Sequence, residues 1–204
     1  YDALYWGGLH GLPHLEILDT IKDYKYNFLS VGPDAWNYWK LDNPKENNKP
    51  DIKKYLPLLT HLNMPRVKMW ELIRHTKVNV MTNMLWVGDA EIRNVKNLMY
   101  YEHNQAFSHI GDYIIPQIKT RPFESAFNRC LMLVFKDPWN IQEDFFEPND
   151  EFLYYEDSQQ LRDILDDVKI NWKNYEQIVE NAFQKAMSHY TVENFIEQIK
   201  KECV

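Results

Sequence analysis

Two cysteines in 204 residues, Cys130 and Cys203, leave no material for a disulfide framework. No apolar stretch approaches the roughly 18 residues of a membrane span, and no signal-peptide pattern opens the chain at Tyr1. Together these absences make the cytoplasm the expected compartment. Positive charge is also short. Lys and Arg number 23 against 30 Asp and Glu, a net charge of −7, which argues against a surface that coats nucleic acid.

Several catalytic signatures are missing as well. There is no Asp-x-Asp pair, no Cys/His clustering of the zinc type and no Gly-x-Ser-x-Gly elbow. Neither a Walker sequence nor the dinucleotide fingerprint occurs, so P-loop NTPases and nicotinamide enzymes lose support. His10 and His14 are separated by Gly11 and Pro13, which removes a helical metal pair. No metal and no cofactor are expected.

What is present is apolar and aromatic residue, 45% and 15% of the chain, enough for one well-buried α/β domain. The organising stretch runs from Ile115 to Pro138. Leu131 to Phe135 is a continuous apolar run, as expected of a central parallel strand covered on both faces. Before it, Pro122 can open a short helix whose Phe123, Ala126 and Phe127 share one face. Glu124 then stands at the helix start, with Lys119 and Arg121 just upstream. A carboxylate there can accept two ribose hydroxyls while the cations face a diphosphate. It can equally serve the helix dipole, with the cations as solvated charge.

The rest of the chain fits a βα alternation. Strands are expected at Leu4–Trp6, Phe28–Val31, Val78–Met81 and Phe152–Tyr155, with a further one inside 55–63. Gly7, Gly8 and Gly11 follow the first strand and form either a tight turn or a phosphate-facing loop. Helices are expected over 13–24, over 65–74 with Val67, Trp70 and Ile73 inward, and over 90–107. Residues 33–50 read as a polar surface loop carrying Trp36, Tyr38 and Trp39, and 108–119 as a loop. Asn140 suits either a helix N-cap, completed by Glu143, or a sugar contact. Asp157 caps a helix bearing Leu161, Ile164, Leu165 and Val168. A long amphipathic helix is expected over 172–190, and Thr191 caps a last one striped by Phe195, Ile196 and Ile199.

Arg121, Phe123 and Glu124, the apolar strand, Asp137-Pro138-Trp139-Asn140, an acidic helix at 143–147, Pro148 and the strand at 152–155 occur in a characteristic order. Asn174-Tyr175, Asn181-Ala182 and Tyr190-Thr191 complete the series. This series resembles the nucleotide-sugar-binding half of GT-B type glycosyltransferases, in particular the family related to the spore-maturation protein CgeB. The likeness is clearest over 115–195. It implies a three-layer, Rossmann-like α/β domain with a mainly parallel sheet, over 1–190. The segment 191–204 would be a C-terminal helix crossing to an N-terminal half that lies outside these residues.

The resemblance further implies a nucleoside-diphosphate sugar as donor, held by Glu124, Arg121, Lys119, Gly7, Gly8 and Asn140, with main-chain groups of 62–66 against the base. The acceptor and any general base would belong to the N-terminal half, so this chain alone would not transfer sugar. Many retaining members carry an earlier glutamate facing the sugar; the corresponding position here is Pro116. Two other readings stay open: a non-catalytic nucleotide-sugar-binding or assembly module, and a nucleotide-sugar epimerase.

Overall fold

Five consecutive apolar residues can be buried only where both faces of a strand are covered, and that is where Leu131–Phe135 lies. The computed structural model describes residues 1–7, 12–30, 55, 57–87, 99–100 and 113–202. In chain order these form β1 (Ala3–Trp6), α1 (Leu12–Ile21), β2 (Tyr26–Ser30), β3 (His61–Leu62), α2 (Arg66–Arg74), β4 (Val78–Thr82) and β5 (Met84–Val87). They continue with β6 (Met99–Tyr100), β7 (Tyr113–Pro116), α3 (Arg121–Phe127), β8 (Leu131–Phe135), β9 (Leu153–Tyr155), α4 (Ser158–Ile170), α5 (Glu176–His189) and α6 (Val192–Glu202).

Six strands make one sheet in the order β3-β2-β1-β4-β8-β9, and every pairing in it is parallel. The chain winds outward from β1 through β2 to β3, then returns to start again with β4 on the other side of β1. This is the doubly wound arrangement, with its switch point between β1 and β4. The register pairs Tyr5 with Val80 and Val80 with Leu133. Alternation along the strands feeds two layers. Tyr5, Phe28, Val80 and Leu133 pack with α1 and α4 on one face, while Met81, Met132 and Val134 meet α3 and α5 on the other. Leu4 and Leu29 continue that second face under α2, through Met69 and Ile73. The expected three-layer, Rossmann-like fold with a mainly parallel sheet is observed.

A separate three-stranded antiparallel sheet, β5-β7-β6, leaves the end of β4. Residues 108–119 were expected to loop, yet Tyr113–Pro116 pairs along the whole of β5. Within the helix expected over 90–107, the described residues Met99 and Tyr100 are a strand paired with Ile114 and Tyr113; the remainder of that stretch lies outside the described residues. Cross-strand partners far along the chain override local helical spacing here.

Helix α2 faces the sheet differently from the expectation. Met69 and Ile73 are buried, whereas Val67 is 68% and Trp70 44% exposed. Residues three apart advance about 300°, so a 67-70-73 stripe drifts by roughly 120° around the helix. The pair 69 and 73 stays on one face, and Arg66 and Trp70 fall on the flank toward α3.

The acidic helix expected at 143–147 is a short 3-10 turn, Ile141–Asp144. Asn140 precedes it in the left-handed region without a side-chain cap, so the expected capping box does not form. Asp137 takes that role, its Oδ1 accepting from the N–H groups of Trp139 (2.9 Å) and Ile141 (3.3 Å). The helix expected over 172–190 is split into a 3-10 turn, Trp172–Asn174, and α5. Tyr175 donates back to Asp167 on α4 and fixes the break. Asp157 does cap α4, accepting from Gln160 N–H at 2.8 Å. Thr191 Oγ1 accepts from Asn194 N–H at the start of α6, whose Val192, Phe195, Ile196 and Ile199 stay exposed.

The orientation of α2 has a direct test in urea denaturation. Ile73→Ala should cost about 2–5 kcal/mol, as for other buried large-to-small changes. Val67→Ala should stay within about 0.5 kcal/mol. Equal losses at both positions would contradict this packing.

Candidate functional site

All six strands of the main sheet run the same way, so their carboxyl ends share one edge. Ser30 closes β2, Thr82 closes β4 and Asn83 follows it, and Asp137 lies just beyond β8. Ser30 Oγ, Thr82 Oγ1, Asn83 Oδ1 and Asp137 Oδ2 are buried there and have no hydrogen-bond partner among the described residues. Buried polar atoms are ordinarily paired, so such a concentration marks an edge suited to a polar ligand. Asn27 Nδ2 and Asn79 Oδ1 are likewise unpaired, lower in the sheet.

The switch point is flanked by α3, which polar contacts hold to the sheet. Asn79 Nδ2 donates to Ser125 Oγ at 2.8 Å, and that hydroxyl donates to Arg121 O at 2.8 Å. The turn after β4 is pinned by Asn83 Nδ2 donating to Gln142 Oε1 at 2.9 Å. This bracing aims Lys119, Arg121 and Glu124 at the carboxyl edge.

Lys119 Nζ donates to the carbonyls of Thr82 at 3.0 Å and Met84 at 3.4 Å, closing over the end of β4. The residue as a whole is half-buried. Burial, with Arg121 adding to it, lowers its pKa to about 7. Arg121 reaches across to β1. Its guanidinium carbon is 5.4 Å from the centre of the Trp6 ring, and a Cβ placed on Gly7 would lie 2.7 Å from Nη2. Any side chain at position 7 would displace the guanidinium, and this close approach is what the glycine permits. Burial pulls the Arg121 pKa down, while Tyr5 and Glu124 oppose that shift. Beneath them the Tyr5 hydroxyl meets His14 Nδ1, and burial pushes the Tyr5 phenol up.

Glu124 is only 8% exposed. Thr120 Oγ1 donates to its Oε2 at 3.4 Å, and Trp70 Nε1 donates to Oε1 at 3.5 Å. Arg66 Nη2 lies 3.5 Å from the same Oε1. Both hydrogen bonds are at the long end of the range and Arg66 contributes an ion pair, so the carboxylate is surrounded without being saturated.

Of the residues singled out in the sequence, Gly7, Lys119, Arg121 and Glu124 thus come together at one edge of the sheet. Gly8 lies outside the described residues, as do His10 and the aromatic loop at 33–50. Asn140 sits in the loop after β8 with its backbone left-handed (φ 52°). Arg66, Trp70 and Asp137 were missed as site residues. The four-residue spacing of Arg66 and Trp70 was visible, but only the rotation of α2 makes it a shared face. Among the described residues no cluster of His, Cys, Asp and Glu could hold a metal ion, and no helix is long and apolar enough to cross a membrane.

The fold defines a GT-B type domain. The model of the glycosyl transferase-like family matches residues 15–201, and the chain belongs to that family. A comparison with curated protein sequences gives no match. Among solved structures it is similar to HepE (Alr3699) of Anabaena in complex with UDP and glucose, with TM-score 0.60 and 11% identity over 98% of this chain and 47% of that one. It is also similar to the C-terminal domain of the glycosyl transferase group 1 family protein LpcC of Francisella tularensis, with TM-score 0.50, 12% identity and coverage of 93% and 85%. A third neighbour is the pneumococcal O-GlcNAc transferase GtfA with UDP and GlcNAc, at TM-score 0.52, 9% identity and coverage of 98% and 35%. The chain spans about half the length of the HepE structures it matches. The fold is that of a GT-B C-terminal half, as the sequence resemblance implied.

Lys119 sets a pH dependence of stability. Its folded pKa of about 7 lies below the usual 10.5, so between them the unfolded chain holds a proton that the folded chain has released. The cost of burying the charge is full below about pH 7 and is relieved as pH rises toward 10.5. Urea denaturation from about pH 6 to about pH 9 should show stability rising in the wild type, and Lys119→Met should flatten that rise. Identical slopes in both would show that Lys119 is not the group responsible.

Proposed function

We propose that this domain binds a nucleoside-diphosphate sugar at the carboxyl edge of its sheet and serves as the donor half of a glycosyltransferase. The observation that carries this reading is the meeting of two partly enclosed cations, Lys119 and Arg121, with the unsaturated Glu124 carboxylate at the switch point. Membership of the glycosyl transferase-like family supports it. So do the UDP and sugars named for the HepE and GtfA structures. Arg121 and Lys119 face the diphosphate, Gly7 and Gly8 let the backbone approach it, and Asn140 lies toward the sugar. Glu124 accepts the ribose hydroxyls. The CgeB-related relatives are the proposed subset of the family.

In the reaction, an acceptor oxygen bonds to the anomeric carbon as the bond from that carbon to the phosphate oxygen breaks. The nucleoside diphosphate leaves with the electron pair, and the acceptor's proton passes to a base. Cations at the diphosphate stabilise the developing negative charge and so lower the barrier, without calling on a metal. Acceptor and base belong to an N-terminal half to which α6 crosses, covering its exposed apolar face. This chain alone is therefore expected not to transfer sugar.

Calorimetry with UDP, GDP and ADP tests the reading and identifies the base. Glu124→Gln should weaken the preferred nucleotide about tenfold to a hundredfold, through charge-assisted bonds of roughly 1.5–3 kcal/mol each. Arg121→Ala should weaken the diphosphate far more than the bare nucleoside. No binding of any of the three at millimolar concentration would overturn the reading. Binding that is indifferent to Glu124→Gln would leave the domain a nucleotide binder with a different ribose contact.

A further inference from the structure

The Glu124 carboxylate faces its own helix on one oxygen and a different helix on the other. Oε2 receives the Thr120 hydroxyl, while Oε1 receives the Trp70 indole N–H at 3.5 Å and forms an ion pair with Arg66 Nη2, also 3.5 Å away. Arg66 and Trp70 are one turn apart on α2, on the flank that the rotation of that helix turns toward α3. Neither residue is committed elsewhere by burial: the Arg66 side chain is 65% exposed, and Trp70 is half-exposed.

A carboxylate oxygen has two lone-pair sites. One hydrogen bond falls on each oxygen, from Trp70 to Oε1 and from Thr120 to Oε2, so one site stays open on each, with the Arg66 charge beside Oε1. The carboxyl group is thereby oriented and left able to accept further. Helix α2 also follows directly from the carboxyl end of β3, so its first turn borders the same edge as the switch point.

We propose that Arg66 and Trp70 are positioning residues for ribose recognition. They hold the carboxylate so that its open sites meet the ribose hydroxyls, and in doing so they set the preference for a ribonucleotide over its 2′-deoxy analogue. This rests on the donor-site reading above. It assigns α2 a part in nucleotide selection beyond main-chain contact with the base.

The experiment compares, by calorimetry, whichever of UDP, GDP and ADP binds best with its 2′-deoxy analogue. The proteins are the wild type, Glu124→Gln, Trp70→Phe, Arg66→Ala and Arg66→Lys. The wild type should prefer the ribonucleotide by about tenfold, the worth of one hydrogen bond to a charged group. Trp70→Phe, which keeps a ring and loses the N–H, should cut that preference to about threefold or less by weakening the ribonucleotide alone. Arg66→Ala should act the same way, and Arg66→Lys should restore part of the preference. Unchanged melting temperatures would set folding effects aside, since both positions are at the surface.

If both α2 variants keep the wild-type ratio while Glu124→Gln loses it, this inference is wrong and the donor site stands. Equal weakening of ribo- and deoxynucleotide by Arg66→Ala would also overturn it, assigning Arg66 to the phosphates. A wild type that binds none of the nucleotides removes the donor-site reading and this inference together.

Discussion

Parallel pairing is the constraint on which the molecule depends. Once β1, β4 and β8 run the same way, every connection must cross back over a face of the sheet, and helices are the compact means of doing so. The same constraint collects all the carboxyl ends, and the starts of the helices that follow them, at one edge. Each polar group at a strand end then falls into a shared neighbourhood. Ser30, the neighbours Thr82 and Asn83, and Asp137 come from three distant parts of the sequence and share that edge for this reason.

Charge follows the same geometry. The chain carries a net −7, yet Arg66 and Arg121 gather at this edge around one carboxylate, with Lys119 next to Arg121. Concentrating cations costs solvation, visible in the lowered pKa of Lys119. The cost is offset in part by local partners. Lys119 donates to two strand-end carbonyls, and Arg121 lies over the Trp6 ring. Under the proposed function a diphosphate would neutralise what the protein leaves uncompensated, which would link binding to local stability through these two residues.

Rigidity at the edge comes from buried polar ties. Asn79, Ser125 and the Arg121 carbonyl form a chain of hydrogen bonds from the sheet to the first turn of α3, and Asn83 with Gln142 holds the neighbouring turn. The small antiparallel sheet leaves from the same point, so Lys119 lies between two sheets and touches the carbonyls that begin and end the junction. The exposed stripe of α6 is the contrasting region, an apolar face at the surface, bordering a hollow of about 420 Å³ beside Phe123 and Tyr190.

Local pattern was enough for the parallel core. The apolar run at 131–135 and the strands expected at 4–6, 28–31, 78–81 and 152–155, each within two residues of an observed strand, declare themselves by composition, and Asp157 and Thr191 by their capping position. Lys119, Arg121 and Glu124 were legible because they stand together just before the most apolar strand. Tertiary structure alone decided the rest. β7 pairs with β5 across a long separation, which no local window contains. Helix α2 was recognised as a helix, but its rotation depends on what packs beneath it, and that rotation brings Trp70 and Arg66 to Glu124. Asp137 displaced Asn140 as the cap because the chain leaves β8 with Asn140 left-handed. Sequence by itself determined the strands of the parallel core and the charged trio, since these follow from residue type and short-range spacing. The meeting of α2 with α3, and the orientation of the carboxylate between them, depends on contacts between residues more than fifty positions apart, and so belongs to the folded state alone.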